Sequence, residues 1–249
     1  MATRIVVEAT MTKPHLKKKI PAPRAESSRR DTRPLKFVPL NDDLCRYVAA
    51  HRSGAQDSVL DDLRAETEKL GSISEMLISR EQGNLLTLLT AALDARSAVE
   101  VGTFTGYSAI CMARGLPAEG RLLCIDINED WTAIARRYWQ RAGLQDRIEL
   151  RLGGGQVELA RLPANARFDI AFIDADKPGY DLYYELVLPH VRRNGLVLFD
   201  NMLQHGRVLA PEDPSAKAID ALNKKLSADP RVQCVLLTVA DGLMLCRKL

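Results

Sequence analysis

The stretch that decides the fold is AVEVGTFTGYS, residues 98–108. It begins as an apolar run that contains one carboxylate, Glu100, and then passes through Gly102 and Gly106 into a helical pattern. Glycines let the backbone turn tightly and let a ligand approach it, and the start of a helix offers free N–H groups to an anion. The stretch therefore predicts a first strand, a cofactor-binding turn and the start of a helix.

Short aliphatic and β-branched runs alternate with helical patterns after this stretch. The runs are nearly continuous in apolar residues, which is typical of parallel strands covered on both faces. This alternation predicts an α/β fold, a doubly wound Rossmann-like sheet with right-handed crossovers. The predicted parallel strands are 98–102, 121–127, 147–152, 168–174 and 196–200, and the helices between them begin near Gly106, Asp130, Gly155, Tyr180 and Pro214.

The last part of the chain has a different pattern. Strand-like runs over residues 233–239 and 243–247 are separated by Ala240-Asp241-Gly242. Asp-Gly between two strands is typical of a tight hairpin turn. We therefore expect a mostly parallel seven-stranded sheet that ends in an antiparallel hairpin, within one core over residues 97–249.

Helical patterns precede the first strand. Three helices are predicted: one capped by Asn41 or Asp42 that ends near residue 51, one capped by Ser58 over residues 59–70, and one opened by Ser74 and Glu75 that ends near Leu93. We expect residues 37–96 to form a lid or a subunit contact.

Residues 1–36 form a basic segment. They contain ten Lys or Arg and three acidic residues, a charge of +7, so the whole-chain charge of +3 leaves −4 on the other 213 residues. Four prolines and little apolar periodicity predict a disordered tail or an arm on a partner subunit. No nucleic-acid partner is expected, because the basic residues are not interleaved with stacking aromatics on folded elements.

Composition also restricts the cellular setting. No stretch approaches the roughly 20 apolar residues of a membrane span, and the first residues do not have the pattern of a secretory signal. We expect a cytoplasmic protein without a membrane partner. The five cysteines lack metal-type spacing and four lie in apolar segments, so free thiols are expected.

The carboxyl ends of the predicted strands carry the candidate cofactor residues, because ligands of open α/β sheets bind there. Asp126 ends the second strand, where a carboxylate can accept hydrogen bonds from ribose hydroxyls. The residue two positions after Gly102 is Phe104 rather than glycine, which disfavours a nicotinamide dinucleotide. Glycines that serve only the turn are the alternative interpretation.

A second group of polar residues ends the fourth and fifth strands. Asp174, Asp200 and Asn201 supply two carboxylates and an amide oxygen, which suit Mg²⁺, with Mn²⁺ or Ca²⁺ as alternatives. Helix capping is the other interpretation of these residues. Lys177 follows Asp174 by three positions, and a lysine beside a cation can act as a general base. The alternative is a solvated lysine paired with Asp176 or Asp181.

These motifs, together with Asp241-Gly242, resemble in order and spacing the cation-dependent O-methyltransferases of the caffeoyl-CoA and catechol type, from about residue 71 to the end. The resemblance implies S-adenosylmethionine as cofactor, Lys177 as base and a homodimer. The implied cofactor-binding residues are Met76, Ile78, Glu100, Gly102, Tyr107, Ser108, Asp126, Gly155 and Asp174, and the implied metal ligands are Asp174, Asp200 and Asn201.

The resemblance implies methyl transfer from S-adenosylmethionine to one hydroxyl of a catechol-like small molecule. A non-aromatic bidentate acceptor, such as a carrier-bound hydroxy acid, is the alternative, and a non-catalytic cofactor-binding module is a third. After Asn201 the chain has Met202-Leu203-Gln204-His205, where the plant enzymes place an aromatic residue, so an extended phenylpropanoid-CoA acceptor is not expected. His205 is interpreted as a surface residue, with substrate contact as the alternative.

Overall fold

The computed structural model describes residues 38–53 and 57–249, so the basic segment over residues 1–36 lies outside the described residues. Within the described ranges the strands are β1 (Ser97–Val101), β2 (Arg121–Asp126), β3 (Ile148–Leu152), β4 (Phe168–Ile173), β5 (Val191–Phe199), β6 (Val232–Leu237) and β7 (Leu243–Lys248). The helices are α1 (Asp42–Ala50), α2 (Ser58–Glu68), α3 (Arg80–Ala92), α4 (Tyr107–Gly115), α5 (Glu129–Arg141), α6 (Gly155–Ala160), α7 (Tyr180–Val187) and α8 (Pro214–Ala228).

The seven strands form one sheet in the order β3-β2-β1-β4-β5-β7-β6. The first five are parallel, and β7 is antiparallel to both β5 and β6. The predicted fold class and the terminal hairpin are therefore confirmed. The strand order reverses between β1 and β4, and the carboxyl ends of these two strands are where a ligand crevice forms in such sheets.

Successive residues of β1 are buried on opposite faces of the sheet. Ala98 packs in the apolar cluster with Leu86 of α3 and Ile110 of α4, whereas Val99 packs in the other cluster with Tyr184 of α7. Burying a large aliphatic or aromatic side chain contributes about 1.5–3 kcal/mol. The continuous apolar runs of the sequence are thus explained by a sheet with helices on both faces.

The prediction of one amphipathic helix opened by Ser74 and Glu75 is wrong at its start. A 3-10 turn covers Gly71–Met76, Leu77 is extended, and α3 begins only at Arg80. The Ser79 hydroxyl accepts a hydrogen bond from the backbone N–H of Gln82 at 3.2 Å and caps the new helix. A local side-chain cap therefore prevails over the apolar periodicity.

Two further boundaries differ from the sequence prediction. Asp57, not Ser58, caps α2, since its carboxylate accepts the backbone N–H of Leu60 at 3.1 Å. β5 begins at Val191, five residues before the predicted start. The cap of α1 is confirmed as Asn41, whose side chain accepts the backbone N–H of Leu44.

The cysteines are all free thiols, as expected. In the described part of the chain, no helix has both the length and the apolar character to cross a membrane.

Candidate functional site

The carboxyl ends of β1 and β4 are in direct contact. The backbone N–H of Asp174 donates to the carbonyl of Val101 at 2.8 Å. Gly102 follows Val101 with a φ of +91°, and a Cβ at this position would lie 2.0 Å from the carbonyl oxygen of Asp174. Only glycine fits, because both the backbone conformation and the space exclude a side chain.

Asp126 fixes the glycine turn at the end of β2. One of its carboxylate oxygens accepts the backbone N–H groups of Thr103 and Phe104, both at 2.8 Å, and the other accepts that of Asn128 at 2.8 Å. A carboxylate offers about four lone-pair sites. Asp126 therefore holds the turn and retains acceptor capacity toward a ligand, and its ribose-binding role stays a prediction.

Glu100 is fully buried in the middle of β1. Its Oε2 accepts the Cys124 thiol at 3.4 Å, while its Oε1 and the Thr103 hydroxyl make no hydrogen bond. Burial raises the pKa of the Glu100 carboxyl to about 8. Buried polar atoms normally have partners, so these atoms fit a cofactor that brings its own polar groups, as the amino acid part of S-adenosylmethionine does.

The remaining predicted cofactor residues lie around this centre. Tyr107 and Ser108 are buried at the start of α4. Gly155 opens α6, where a Cβ would lie 2.7 Å from Val101 Cγ1. In the segment before α3, Ile78 is buried but Met76 is 46% exposed.

The segment before α3 is held by an arginine of α2. Arg64 donates to the carbonyl of Ile78 at 2.8 Å, and its guanidinium lies 5.0 Å from the centre of the Tyr107 ring. The predicted lid segment is therefore joined to the start of α4, beside the cofactor turn.

The three predicted metal ligands follow neighbouring strands. Asp200 is buried, and its backbone N–H donates to the carbonyl of Ile173, the residue before Asp174. Burial raises the pKa of the Asp200 carboxyl, and the negative charge of Asp174 raises it further. Asn201 has a left-handed φ of +56° and donates its backbone N–H to Asp200 at 2.7 Å.

This donor set fits a hard divalent cation. Two carboxylates and an amide oxygen are the ligand types that Mg²⁺, Mn²⁺ and Ca²⁺ prefer. Residues 38–53 and 57–249 contain no metal-site group of three or more His, Cys, Asp or Glu, so the set depends on the Asn201 amide as its third member. A bound cation would offset the repulsion that raises the pKa of Asp200.

Lys177 lies between these carboxylates and a buried tyrosine. Its ammonium donates to Asp174 Oδ1 at 2.9 Å and to the Tyr180 hydroxyl at 2.7 Å. The Tyr180 hydroxyl in turn donates to the carbonyl of Asp200 at 3.2 Å. The sequence predicted Tyr180 only as the start of a helix, although its position three residues after Lys177, on one helical turn, was a usable signal.

The alternative partners of Lys177 are engaged elsewhere. Asp176 accepts the backbone N–H of Gly179, and Asp181 pairs with Lys225. His205 is 79% exposed, and its Nε2 is 3.8 Å from the Asp241 carboxylate. The structure thus places Lys177 with Asp174 and leaves His205 at the surface.

Comparison with known proteins shows the family to which the chain belongs. The O-methyltransferase family model matches residues 50–249. A Dictyostelium discoideum protein described as probable caffeoyl-CoA O-methyltransferase 1 is 36% identical over 218 residues, which is 85% of this chain and 94% of that protein.

Two solved structures share the fold. The O-methyltransferase of Bacillus cereus, in complex with SAH, is 31% identical with a TM-score of 0.76 over 83% of this chain and 97% of its own. The O-methyltransferase TomG of Streptomyces achromogenes, in complex with SAM, is 28% identical with a TM-score of 0.76 over 83% and 96%.

Fold and site together define an S-adenosylmethionine-dependent methyltransferase. Within that class the chain belongs to the O-methyltransferase family, the one that includes the caffeoyl-CoA O-methyltransferases.

Proposed function

We propose that this protein transfers the methyl group of S-adenosylmethionine to one hydroxyl of a catechol-like small molecule, and that a divalent cation is required. The observation that carries the proposal is the meeting of Asp174 and Asp200 beside the Gly102 turn. The cofactor turn and a hard-ligand set share one edge of the sheet, so a methyl donor and a chelated acceptor can be held together there.

Asp174, Asp200 and Asn201 would hold the cation. We propose Mg²⁺, with Mn²⁺ or Ca²⁺ as alternatives, because each prefers oxygen ligands. A cation held by these residues would orient two neighbouring acceptor oxygens and would stabilise the ionised form of the hydroxyl that is methylated. Vicinal hydroxyls suit such a site because both oxygens can reach one cation.

The cofactor-binding residues hold S-adenosylmethionine through complementary groups. Asp126 accepts from the ribose hydroxyls, and the buried carboxyl of Glu100 pairs with the cofactor's amino group. Gly102 and Gly155 let the elements around the cofactor turn pack closely, since a Cβ at either position would overlap neighbouring protein atoms. Holding both reactants in line supplies several kcal/mol of the barrier reduction.

Lys177 takes the acceptor's proton. As the acceptor oxygen bonds to the methyl carbon, the carbon–sulfur bond breaks and the sulfonium becomes a neutral thioether. The proton passes to Lys177 Nζ, which is held by Asp174 and by the Tyr180 hydroxyl. Lys177 must be uncharged to receive this proton, so the ion pair with Asp174 describes its protonated form.

We also propose that the protein is a homodimer. In the part of the chain that the structure describes, α1 has no buried residue, and Leu40, Tyr47 and Val48 are exposed. A second copy of the chain, bound against α1, would cover this exposed apolar surface. Sedimentation equilibrium tests this, and a monomer at micromolar concentration would overturn it.

Labelled S-adenosylmethionine with a panel of acceptors and Mg²⁺ tests the activity. We expect label on catechols and none on phenol, because phenol offers one oxygen to the cation. Transfer to phenol at the rate of catechol would contradict the chelation. Failure with every catechol would overturn the proposal and favour a carrier-bound hydroxy acid as acceptor.

A further inference from the structure

Gln82 is buried beside the candidate cation site without a partner. It lies in the first turn of α3, directly after the segment that Ser79 ends. The side chain is 0% exposed, and neither its Oε1 nor its Nε2 makes a hydrogen bond. A buried amide in this condition destabilises the folded state unless something else pairs with it.

The side chain faces Asp200. The Gln82 amide lies close enough to the Asp200 carboxyl to interact with it, although the two groups do not form a hydrogen bond of normal geometry. Gly83, the next residue, fixes this position, since a Cβ there would lie 2.8 Å from Cys111 Sγ and 2.9 Å from the Tyr107 ring. Close packing of α3 on α4 thus holds the Gln82 amide beside Asp200.

A second buried glutamine shows the contrast. Gln204 donates to the carbonyl of Asn201 at 3.0 Å and accepts from Arg207 at 3.0 Å. Both of its polar ends are paired, as is usual for buried amides. The unpaired state of Gln82 is therefore a property of its site, and it points to a ligand with hydrogen-bonding groups.

We propose that Gln82 binds the methyl acceptor, with its amide oxygen accepting a hydrogen bond from the acceptor hydroxyl that is not methylated. The side-chain N–H group of Gln82 stays directed toward Asp200. A neutral amide suits this position because it binds a hydroxyl without adding charge beside Asp174 and Asp200. The inference rests on the proposed function, since it requires a hydroxylated acceptor at this edge of the sheet.

The variant that tests this is Gln82→Met, which keeps the length of the side chain and removes its donor and acceptor. Catechol binding is measured by calorimetry in the presence of S-adenosylhomocysteine and Mg²⁺, and melting is measured without ligand. We expect about five- to tenfold weaker catechol binding, the loss of one neutral hydrogen bond. S-adenosylhomocysteine affinity is expected to be unchanged, and the ligand-free melting temperature to rise.

Thr90→Val is the matched control on the same helix. The Thr90 hydroxyl is buried and donates to the carbonyl of Leu86 at 2.7 Å, so its loss lowers the melting temperature and leaves catechol affinity unchanged. Unchanged catechol affinity in Gln82→Met overturns the inference and leaves the proposed function standing. Wild-type protein that binds S-adenosylhomocysteine but no catechol overturns the proposed function, and the inference with it.

Discussion

A Cβ on Gly102 would lie 2.0 Å from the carbonyl oxygen of Asp174. The turn that follows β1 and the first carboxylate of the candidate cation site are therefore packed backbone against backbone. The cofactor turn and Asp174 are thus coupled through their backbones. This coupling would hold the methyl donor and the acceptor at a fixed separation.

Gly102→Ala is expected to destabilise the protein by about 3–5 kcal/mol. The substitution adds both a left-handed backbone strain and an overlap with Asp174. Gly143→Ala is the matched control, since Gly143 also has a positive φ of +68° but nothing lies within 4 Å of its Cβ position. Gly143→Ala should lower the free energy of unfolding by only about 1–2 kcal/mol. Urea unfolding measures both, and equal losses would contradict the role of the overlap.

The core of the fold and the edge residues could be predicted from the sequence because each depends on a local pattern. Apolar runs identified the parallel strands, and Ala240-Asp241-Gly242 identified the hairpin. Asp174, Asp200 and Asn201 could be placed at one edge of the sheet because each directly follows a strand, and parallel strands end at the same edge.

The break before α3 and the role of Gln82 could not be predicted in this way. The apolar periodicity continued through Leu77, and only the Ser79 cap and the packing on α2 decide where the helix begins. Gln82 looks like any polar residue in a first helical turn. The role proposed for Gln82 depends on its proximity to Asp200, which is more than 100 positions away in the chain.

Glu100→Gln is expected to change how stability depends on pH. The pKa of the Glu100 carboxyl is about 8 in the ligand-free folded protein, against 4.5 for an ordinary glutamate. Between these values the folded state binds more protons than the unfolded chain, so this group makes stability fall as pH rises. The free energy of unfolding of Glu100→Gln, relative to wild type, should therefore rise by about 1.4 kcal/mol per pH unit between pH 5 and 8. A constant difference across this range would contradict the burial of an uncharged carboxyl.

Lys177→Met is expected to reduce turnover by about 10²–10⁴-fold, the usual contribution of a general base. Cofactor affinity should change little, because no cofactor-binding role is assigned to this side chain. Lys224→Met is the control, since Lys224 is an exposed residue that pairs only with Asp220 in the described part of the chain. Steady-state kinetics at saturating acceptor would make the comparison, and a loss below threefold in Lys177→Met would exclude it as base.

Arg64→Met is expected to weaken S-adenosylhomocysteine binding by about five- to tenfold. The substitution removes the hydrogen bond to Ile78 and the contact with the Tyr107 ring, which together hold the segment before α3. Arg46→Met, which breaks an exposed pair with Asp43, is the control. Calorimetric titration distinguishes the two, and equal affinities would show that the segment does not cover the cofactor.

The requirement for a cation is tested most directly by the rate of catechol methylation in excess chelator, followed by the addition of Mg²⁺. The account predicts that the chelator abolishes transfer, that Mg²⁺ restores it, and that S-adenosylhomocysteine still binds throughout. A full rate in excess chelator would contradict the assignment of Asp174, Asp200 and Asn201 as a catalytic cation site.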